Sequence, residues 1–202
     1  MPVVEVFADV VCPFTHVGLC RLVQRRAELG RDDVRLLVRA WPLELVNGAP
    51  MDPVAVEGKI ADLRAQVAPD LFTGFRRDAF PATSLPALAL TAAAYERSIE
   101  AGEAVALEVR RLLFEEGADV ADPAVLARVA DAHGVEVPQG STAVERDYAD
   151  GRERGVRGSP HFFPPSGVDV FCPTLDIERV DGHLVVHVDP ARFDELVHAC
   201  FA

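Results

Sequence analysis

The sequence has few basic residues, and almost none of them is lysine. Lys59 is the only lysine among 20 basic residues, which stand against 32 acidic residues and give a formal net charge of −12 at pH 7. A protein that binds the phosphate backbone of nucleic acid needs clustered basic side chains that displace counterions. The charge balance therefore argues against a nucleic-acid partner.

The sequence also lacks a long hydrophobic run. Its longest weakly polar segment, 85–94, falls well short of the roughly 20 residues that cross a bilayer. The N-terminus enters an apolar pattern directly, without the basic segment and apolar core of a secretory signal. We therefore expect a cytoplasmic protein without a membrane partner.

The sequence also lacks closely spaced cysteines. The four cysteines are Cys12, Cys20, Cys172 and Cys200, and no two of them form a Cys-x-x-Cys pair. Zinc ribbons and iron–sulfur sites use such spacings. We therefore expect no metal site and no tightly bound cofactor.

The most informative stretch is the change of pattern at Cys12. Residues 3–8 form a short apolar and β-branched run, which is typical of a buried strand. From 14 to 27, apolar residues recur at spacings of three and four, which predicts an amphipathic helix. Pro13 suits the first turn of that helix, because the N–H that proline lacks would be unpaired there. The pattern therefore puts Cys12 at or just before a helix N-terminus.

A thiol at this position has two interpretations. The free N–H groups and the dipole of a helix N-terminus stabilise negative charge, which favours the thiolate, the nucleophilic form of cysteine. Alternatively, Cys12 is a small apolar residue that closes a strand end, since free cysteines are commonly buried and inert. We favour the reactive interpretation for a Cys-Pro pair at a strand-to-helix junction.

Two segments carry a resemblance to a known family. Cys-Pro-Phe-Thr at 12–15 resembles the Cys-Pro-x-Cys active-site turn of the DsbA-like branch of the thioredoxin fold, with Thr15 where the second cysteine would stand. The segment 155–163 resembles the loop that carries the cis-proline of that fold, and Pro160 is the matching residue.

The resemblance implies an α/β protein, a thioredoxin fold whose central mixed β-sheet is interrupted by an inserted all-helical domain. We expect residues 1–50 and 155–202 to form the thioredoxin-like domain and residues 51–154 to form the helical insertion. The pattern of the remaining chain predicts a second strand at 34–40 and several helices within 53–154. It then predicts one hairpin at 161–172, a second at 175–188 and a last helix after 190.

The resemblance also assigns site residues. It implies that Ser159 and Pro160, joined by a cis bond, lie against Cys12 and offer backbone to an extended substrate. The same substrate site would include Pro13, Phe14 and His16.

His16 lies one helical turn beyond Cys12. Its imidazolium could favour the Cys12 thiolate, and its neutral form could act as a base. A core-packed or solvent-facing histidine is an equal expectation.

Thr15 stands where the Cys-Pro-x-Cys turn has its second cysteine, and this difference determines the expected mechanism. A hydroxyl cannot resolve a mixed disulfide, so exchange through Cys12 is expected to be monothiol, with a low-molecular-weight thiol as co-substrate or a remote cysteine as second partner. The Thr15 hydroxyl could hydrogen-bond the Cys12 thiolate or cap a backbone carbonyl.

Cys172 is the candidate for a remote resolving thiol. If the 161–172 hairpin is symmetric, Cys172 lies opposite Pro160 and therefore near Cys12. The alternative is a buried strand cysteine without a role. Cys20 and Cys200 fall on apolar helix faces, and we expect both in the core.

Three functions follow. The first is a DsbA-like, thiol-dependent oxidoreductase that acts on a small-molecule or peptide disulfide or thiol. It works by monothiol disulfide exchange through Cys12 with a cis-proline substrate loop, and its catalytic residues are Cys12, Thr15 and Pro160. The second resembles hydroxychromene-carboxylate isomerases and kappa-class glutathione transferases, which activate glutathione at the same helix N-terminus. The third is a non-catalytic binding protein that keeps the fold.

Overall fold

The computed structural model of the chain describes residues 1–140, 142–172, 176–180, 183–187 and 190–201. Its strands are β1 (Val3–Ala8), β2 (Arg35–Ala40), β3 (His161–Phe163), β4 (Val170–Phe171), β5 (Asp176–Val180) and β6 (His183–His187). Its helices are α1 (Pro13–Glu28), α2 (Leu43–Asn47), α3 (Pro53–Gln66), α4 (Leu85–Arg97), α5 (Ile99–Glu115), α6 (Pro123–His133), α7 (Thr142–Glu153) and α8 (Pro190–Phe201), with a 3-10 turn at Arg77–Ala79. Within this part of the chain, no helix is both long enough and apolar enough to cross a membrane.

Four strands form one mixed sheet in the order β2-β1-β3-β4. β1 runs parallel to β2, and β3 is antiparallel to both β1 and β4. Parallel neighbours need a crossover connection, and α1 supplies it between β1 and β2. The mixed sheet and its helices confirm the expected α/β architecture.

β1 occupies an interior position in the sheet, and most of its residues are apolar and buried. Four of its six residues are fully buried, namely Val4, Val6, Phe7 and Ala8. β2 instead alternates buried and half-buried residues. Arg39, which interrupts the apolar pattern of β2, pairs with Asp147 of α7 at 2.8 Å and with Glu5 of β1 at 3.0 Å. Arg39 therefore attaches α7 to the sheet through its ion pair with Asp147.

Between β2 and β3 the described residues form helices and their connections. Ordinary caps bound α6: the Asp122 carboxylate accepts a hydrogen bond from the Ala124 N–H, and Gly134 follows the helix in the left-handed conformation. The periodicity of the sequence does not predict α2, because a helix of five residues is too short to show it.

α5 packs into two hydrophobic clusters at once. Ala106 belongs to the cluster that contains the sheet residues Val6 and Phe162. Val105 and Val109 belong to the cluster formed mainly by the helical segment. α5 therefore joins the sheet to the helices that follow it.

The C-terminal segment follows the predicted hairpin order. β5 and β6 form a separate antiparallel pair in which Val180 lies opposite His183. Residues 181–182, within the hairpin expected at 175–188, lie outside the described residues. In α8, Leu196 and Cys200 are buried in the same cluster as the sheet, which confirms the core position expected for Cys200.

Candidate active site

Cys12 is the N-cap residue of α1. Its backbone is extended, with φ −84° and ψ 112°, and Pro13 occupies the first turn. The His16 N–H donates to the Cys12 carbonyl oxygen at 3.2 Å. Cys12 is only 3% exposed. The thiol therefore lies at the positive end of the helix dipole in an almost buried position.

The proline loop lies directly against this thiol. The Ser159–Pro160 peptide bond is cis. Cys12 Sγ donates a hydrogen bond to the Ser159 carbonyl oxygen at 3.2 Å, although 147 positions separate the two residues in sequence. The two segments that carry the resemblance therefore meet in space.

The Ser159 side chain connects the proline loop to the thiol turn. Its Oγ accepts a hydrogen bond from the Asp9 N–H at 2.9 Å and lies 2.7 Å from the Thr15 hydroxyl. Thr15 is fully buried. The sequence suggests the Cys12 thiolate or a backbone carbonyl as the partner of Thr15, whereas the structure pairs it with Ser159. Thr15 thus fixes the loop to the first turn of α1.

His16 faces the helical segment. Its Nε2 lies 2.7 Å from Oε1 of Glu115, and the same carboxylate accepts hydrogen bonds from the backbone N–H groups of Phe72 and Thr73. Burial alone would raise the pKa of Glu115, but the hydrogen bonds outweigh it and lower the pKa to about 2. His16 is therefore held by a carboxylate that stays ionised at neutral pH.

Cys172 contacts the proline from the neighbouring strand. The His161–Phe171 pairing places Cys172 opposite Pro160, and the Cys172 N–H donates to the Pro160 carbonyl oxygen at 3.0 Å. Cys172 is 8% exposed and its φ is 43°, in the left-handed region. Burial, with a further contribution from charge at Cys12, raises the pKa of the Cys172 thiol to about 12. Cys12 and Cys172 thus contact the carbonyl oxygens of the two residues joined by the cis bond.

Comparison with known proteins identifies the family. Residues 3–184 match the family model of the DSBA-like thioredoxin domain. The chain belongs to this family. A search of curated proteins finds no match.

Solved structures support the DSBA-like fold. Cytosolic disulfide reductase DsbM from Pseudomonas aeruginosa is 18% identical, with a TM-score of 0.58 over 97% of this chain and 95% of that chain, and it has also been solved with GSH. A probable DsbA oxidoreductase from Streptomyces coelicolor is 19% identical, with a TM-score of 0.65 over 98% and 90% of the two chains. A 2-hydroxychromene-2-carboxylate isomerase is 18% identical, with a TM-score of 0.60 over 84% and 88%. At these identities the likeness shows the fold alone.

Asp9 is the buried acid of this DSBA-like site, and the sequence interpretation misses it. Its carboxylate accepts hydrogen bonds from the Leu43 N–H at 2.6 Å and the Val11 N–H at 3.3 Å. Complete burial raises the pKa of Asp9, and these hydrogen bonds oppose the rise. The sequence does carry one signal for this residue, an acid placed between an apolar strand and a thiol. Because unpaired carboxylates are seldom buried, an acid at such a junction indicates hydrogen-bond partners for its carboxylate.

Arg110 of α5 is a second buried charge that the sequence does not reveal. It is 1% exposed and its Nη1 donates to the Ala106 carbonyl oxygen at 2.6 Å, while Nε and Nη2 have no hydrogen-bond partner among the described residues. Burial lowers the pKa of Arg110, whereas negative charge at Asp9 and Cys12 opposes that effect. An arginine in an amphipathic helix is expected on the solvent face, so its burial here follows from tertiary packing.

The remaining cysteines differ from each other. Cys200 is buried, as predicted, and burial raises its pKa to about 12. Cys20, predicted to lie in the core, is instead half-buried at a cavity wall, where burial and the Glu115 carboxylate raise its pKa to about 11. Of the expected substrate-site residues, Pro13 is buried, and Phe14 is half-buried against the cluster of the helical segment.

The cavity lies between α1, α5 and α6 in this DSBA-like domain. Its volume is about 650 Å³, and its lining includes His16, Leu19, Cys20, Val23, Leu107 and His133. Its two histidines are already paired, His16 with Glu115 at 2.7 Å and His133 with Glu108 at 2.5 Å. Across the described ranges, no group of His, Cys, Asp and Glu side chains is arranged to hold a metal ion. The cavity therefore offers mostly apolar surface.

Proposed function

We propose that this DSBA-family protein is a monothiol oxidoreductase with Cys12 as the nucleophile. The observation that carries the proposal is the 3.2 Å contact between the Cys12 thiol and the Ser159 carbonyl oxygen at the N-terminus of α1. This arrangement places the thiol at the N-terminus of a helix and directly beside the Ser159–Pro160 loop, which the family resemblance assigns to an extended substrate. Thr15 leaves the turn without a second thiol.

The proposed reaction has two exchange steps. The Cys12 thiolate attacks one sulfur of a disulfide substrate, forming a mixed disulfide and releasing the other sulfur as a thiolate. A low-molecular-weight thiolate then attacks the substrate sulfur of that mixed disulfide, forming a new disulfide and restoring the Cys12 thiolate. One sulfur of the substrate is thereby released as a thiolate, and the other leaves in a disulfide with the small thiol. A second small thiolate must cleave that disulfide to complete reduction of the substrate, and two small thiols are then oxidised to their own disulfide.

Ser159 would serve as the docking residue. In the resting protein its carbonyl oxygen accepts the Cys12 S–H, and deprotonation of Cys12 removes that donor. The carbonyl oxygen is then available to an N–H of an extended substrate beside Pro160. Because Cys12 is only 3% exposed, we infer that the substrate is a small disulfide or an extended peptide, with Pro13, Phe14 and His16 at the edge of its site.

The second thiol would come from solution. The structure of DsbM with GSH supports a glutathione-type co-substrate, and the description of that relative as cytosolic supports a cytoplasmic role here. Cytoplasmic thiols are kept reduced, which drives exchange towards reduction of the substrate.

Cys172 is the alternative resolving group. Its contact with Pro160 supports the assignment. A thiol whose pKa is raised to about 12 is protonated at neutral pH, however, and attacks slowly. We therefore propose that a small thiol in solution resolves the mixed disulfide faster than Cys172 does.

Replacing the nucleophile tests the proposal. Cys12→Ser should reduce thiol-dependent turnover of a small aromatic disulfide to the uncatalysed rate, because the attacking sulfur is lost. Cys200→Ala, which removes a buried thiol outside the site, is the matched control and should keep turnover near that of the parent protein. Equal turnover by Cys12→Ser and the parent protein would refute the proposal.

The cavity between α1, α5 and α6 favours a second candidate, a glutathione-dependent isomerase or transferase whose apolar substrate occupies it. In that enzyme the helix N-terminus activates an external thiol, so Cys12→Ser should retain thiol-dependent conversion. A protein that neither turns over substrate nor reacts with alkylating agents at neutral pH would instead be a binding protein.

A further inference from the structure

His161 follows Pro160 directly and is hydrogen-bonded through both ring nitrogens. Its Nδ1 accepts a hydrogen bond from the Arg157 backbone N–H at 3.2 Å. Its Nε2 lies 2.7 Å from Oδ2 of Asp169. The residue is 1% exposed. A histidine held so completely beside the proline loop is not explained by the exchange reaction alone.

These partners determine the tautomer. A backbone N–H can only donate, so Nδ1 must carry a lone pair. The pKa of Asp169 is lowered by its hydrogen bond with His161, so it is a carboxylate that accepts from Nε2–H. His161 is therefore neutral and protonated at Nε2 in this arrangement.

The Arg157–His161 hydrogen bond closes the loop that contacts Cys12. The closed segment 157–161 contains Ser159, whose carbonyl oxygen accepts the Cys12 thiol, and the cis bond to Pro160. His161 itself is anchored in the sheet, paired with Phe7 of β1 and Phe171 of β4. The ring thus connects a fixed strand to the loop that adjoins the thiol.

We propose that His161 is a positioning residue for the Cys12 reaction, and that protonation of its Nδ1 releases the proline loop. Protonated Nδ1 cannot accept from the Arg157 N–H, and the two N–H groups would face each other. The loop then loses the bond that closes it, and Ser159 is held less firmly against Cys12. This inference rests on the function proposed for Cys12.

Charged groups around the ring set the pH range of this effect. Burial lowers the pKa of His161, the Asp169 carboxylate opposes this, and the Arg157 and Arg154 guanidinium groups lower it further. A base whose pKa is lowered by folding stays neutral above its ordinary pKa of about 6.5 and gains its proton only at lower pH. The closed loop is therefore fully formed at neutral pH and is lost on acidification.

A non-titrating variant tests the proposal. The amide oxygen of His161→Asn can still accept from the Arg157 N–H but gains no proton. The rate of Cys12 with a small aromatic disulfide, expressed as parent over His161→Asn, should fall about fivefold as the pH is lowered from about 7.5 to well below the ordinary histidine pKa of about 6.5, the effect of losing one hydrogen bond. His198→Asn, which replaces an exposed histidine on α8, is the control and should follow the parent at every pH.

Asp169→Asn is a second test variant, which should shift the pH dependence of the rate and not abolish it. It removes the carboxylate that favours the imidazolium form, so the fall in rate should move to lower pH. Parallel pH profiles for the parent protein and His161→Asn, or an unmoved transition in Asp169→Asn, would overturn the proposal.

Nuclear magnetic resonance separates this inference from the proposed function. Ring ¹⁵N shifts should report the Nε2–H tautomer at neutral pH, and exchange of the Arg157 amide should accelerate about fivefold on acidification after correction for intrinsic exchange. An Nδ1–H tautomer at neutral pH would refute the role of His161 even if Cys12 is active. An unreactive Cys12 with the expected tautomer would refute the proposed function instead.

Discussion

Thr15 is the residue that separates this site from a dithiol turn. It occupies the position of the second cysteine, and its hydroxyl pairs with Ser159 Oγ at 2.7 Å. Threonine therefore has a structural role at this position. Without its hydroxyl, the buried Ser159 hydroxyl would keep only the Asp9 N–H as a partner. The same hydroxyl holds the proline loop against α1.

Restoring the second thiol should change the chemistry. Thr15→Cys places a sulfur in the first turn of α1 beside Cys12, so oxidation should form an internal disulfide and prevent a mixed disulfide from persisting. The lost Ser159 contact should lower stability by about 1 kcal/mol. Intact-protein mass spectrometry after oxidation shows whether the internal disulfide has formed. A stable small-thiol adduct in Thr15→Cys would show that the turn cannot close.

A buried carboxylate of α5 adds a polar attachment of this helix to the sheet. Glu103 accepts a hydrogen bond from the Leu36 N–H of β2 at 2.8 Å and pairs with Arg26 of α1 at 2.5 Å. It is 6% exposed. One side chain of α5 thus satisfies a backbone donor of β2 and a guanidinium of α1.

Glu103→Ala should lower the free energy of unfolding by about 3 kcal/mol, because it leaves the buried Leu36 N–H without its acceptor and removes the ion pair of the partly buried Arg26 guanidinium, which keeps its hydrogen bond to the Val34 carbonyl oxygen. Urea denaturation measures this. The control is Glu100→Gln, which alters an exposed carboxylate 3.7 Å from Arg35 and should lower the midpoint far less. Equal midpoints for Glu103→Ala and the parent protein would contradict the role of Glu103.

The elements also show how far the sequence predicts the structure. The β1–α1 junction at Cys12 and the symmetric hairpin opposite Pro160 follow from local patterns, namely period, proline position and turn residues. The buried charges of Asp9 and Arg110 do not, since their burial depends on which distant elements pack against them. The pairing of Thr15 with Ser159 likewise requires the fold, because residues 144 positions apart carry no local signal of contact.

The site lies where the sheet meets the helical segment. We propose that residues 51–154 are a helical insertion into a thioredoxin-like domain formed by 1–50 and 155–202. Because α5 contributes to the hydrophobic clusters of both parts, the insertion is a packed component of the fold and not an appended module. His16 and Glu115 form a further contact between the two parts, one turn from Cys12.

Disulfide exchange by Cys12 beside the proline loop requires that this thiol react with a small disulfide. Peptide mass spectrometry of the protein after incubation with oxidised glutathione identifies the residue that reacts. We expect a single glutathione on Cys12 that reduced glutathione removes. An unmodified Cys12, whether or not Cys20 carries an adduct, would contradict disulfide exchange by this thiol.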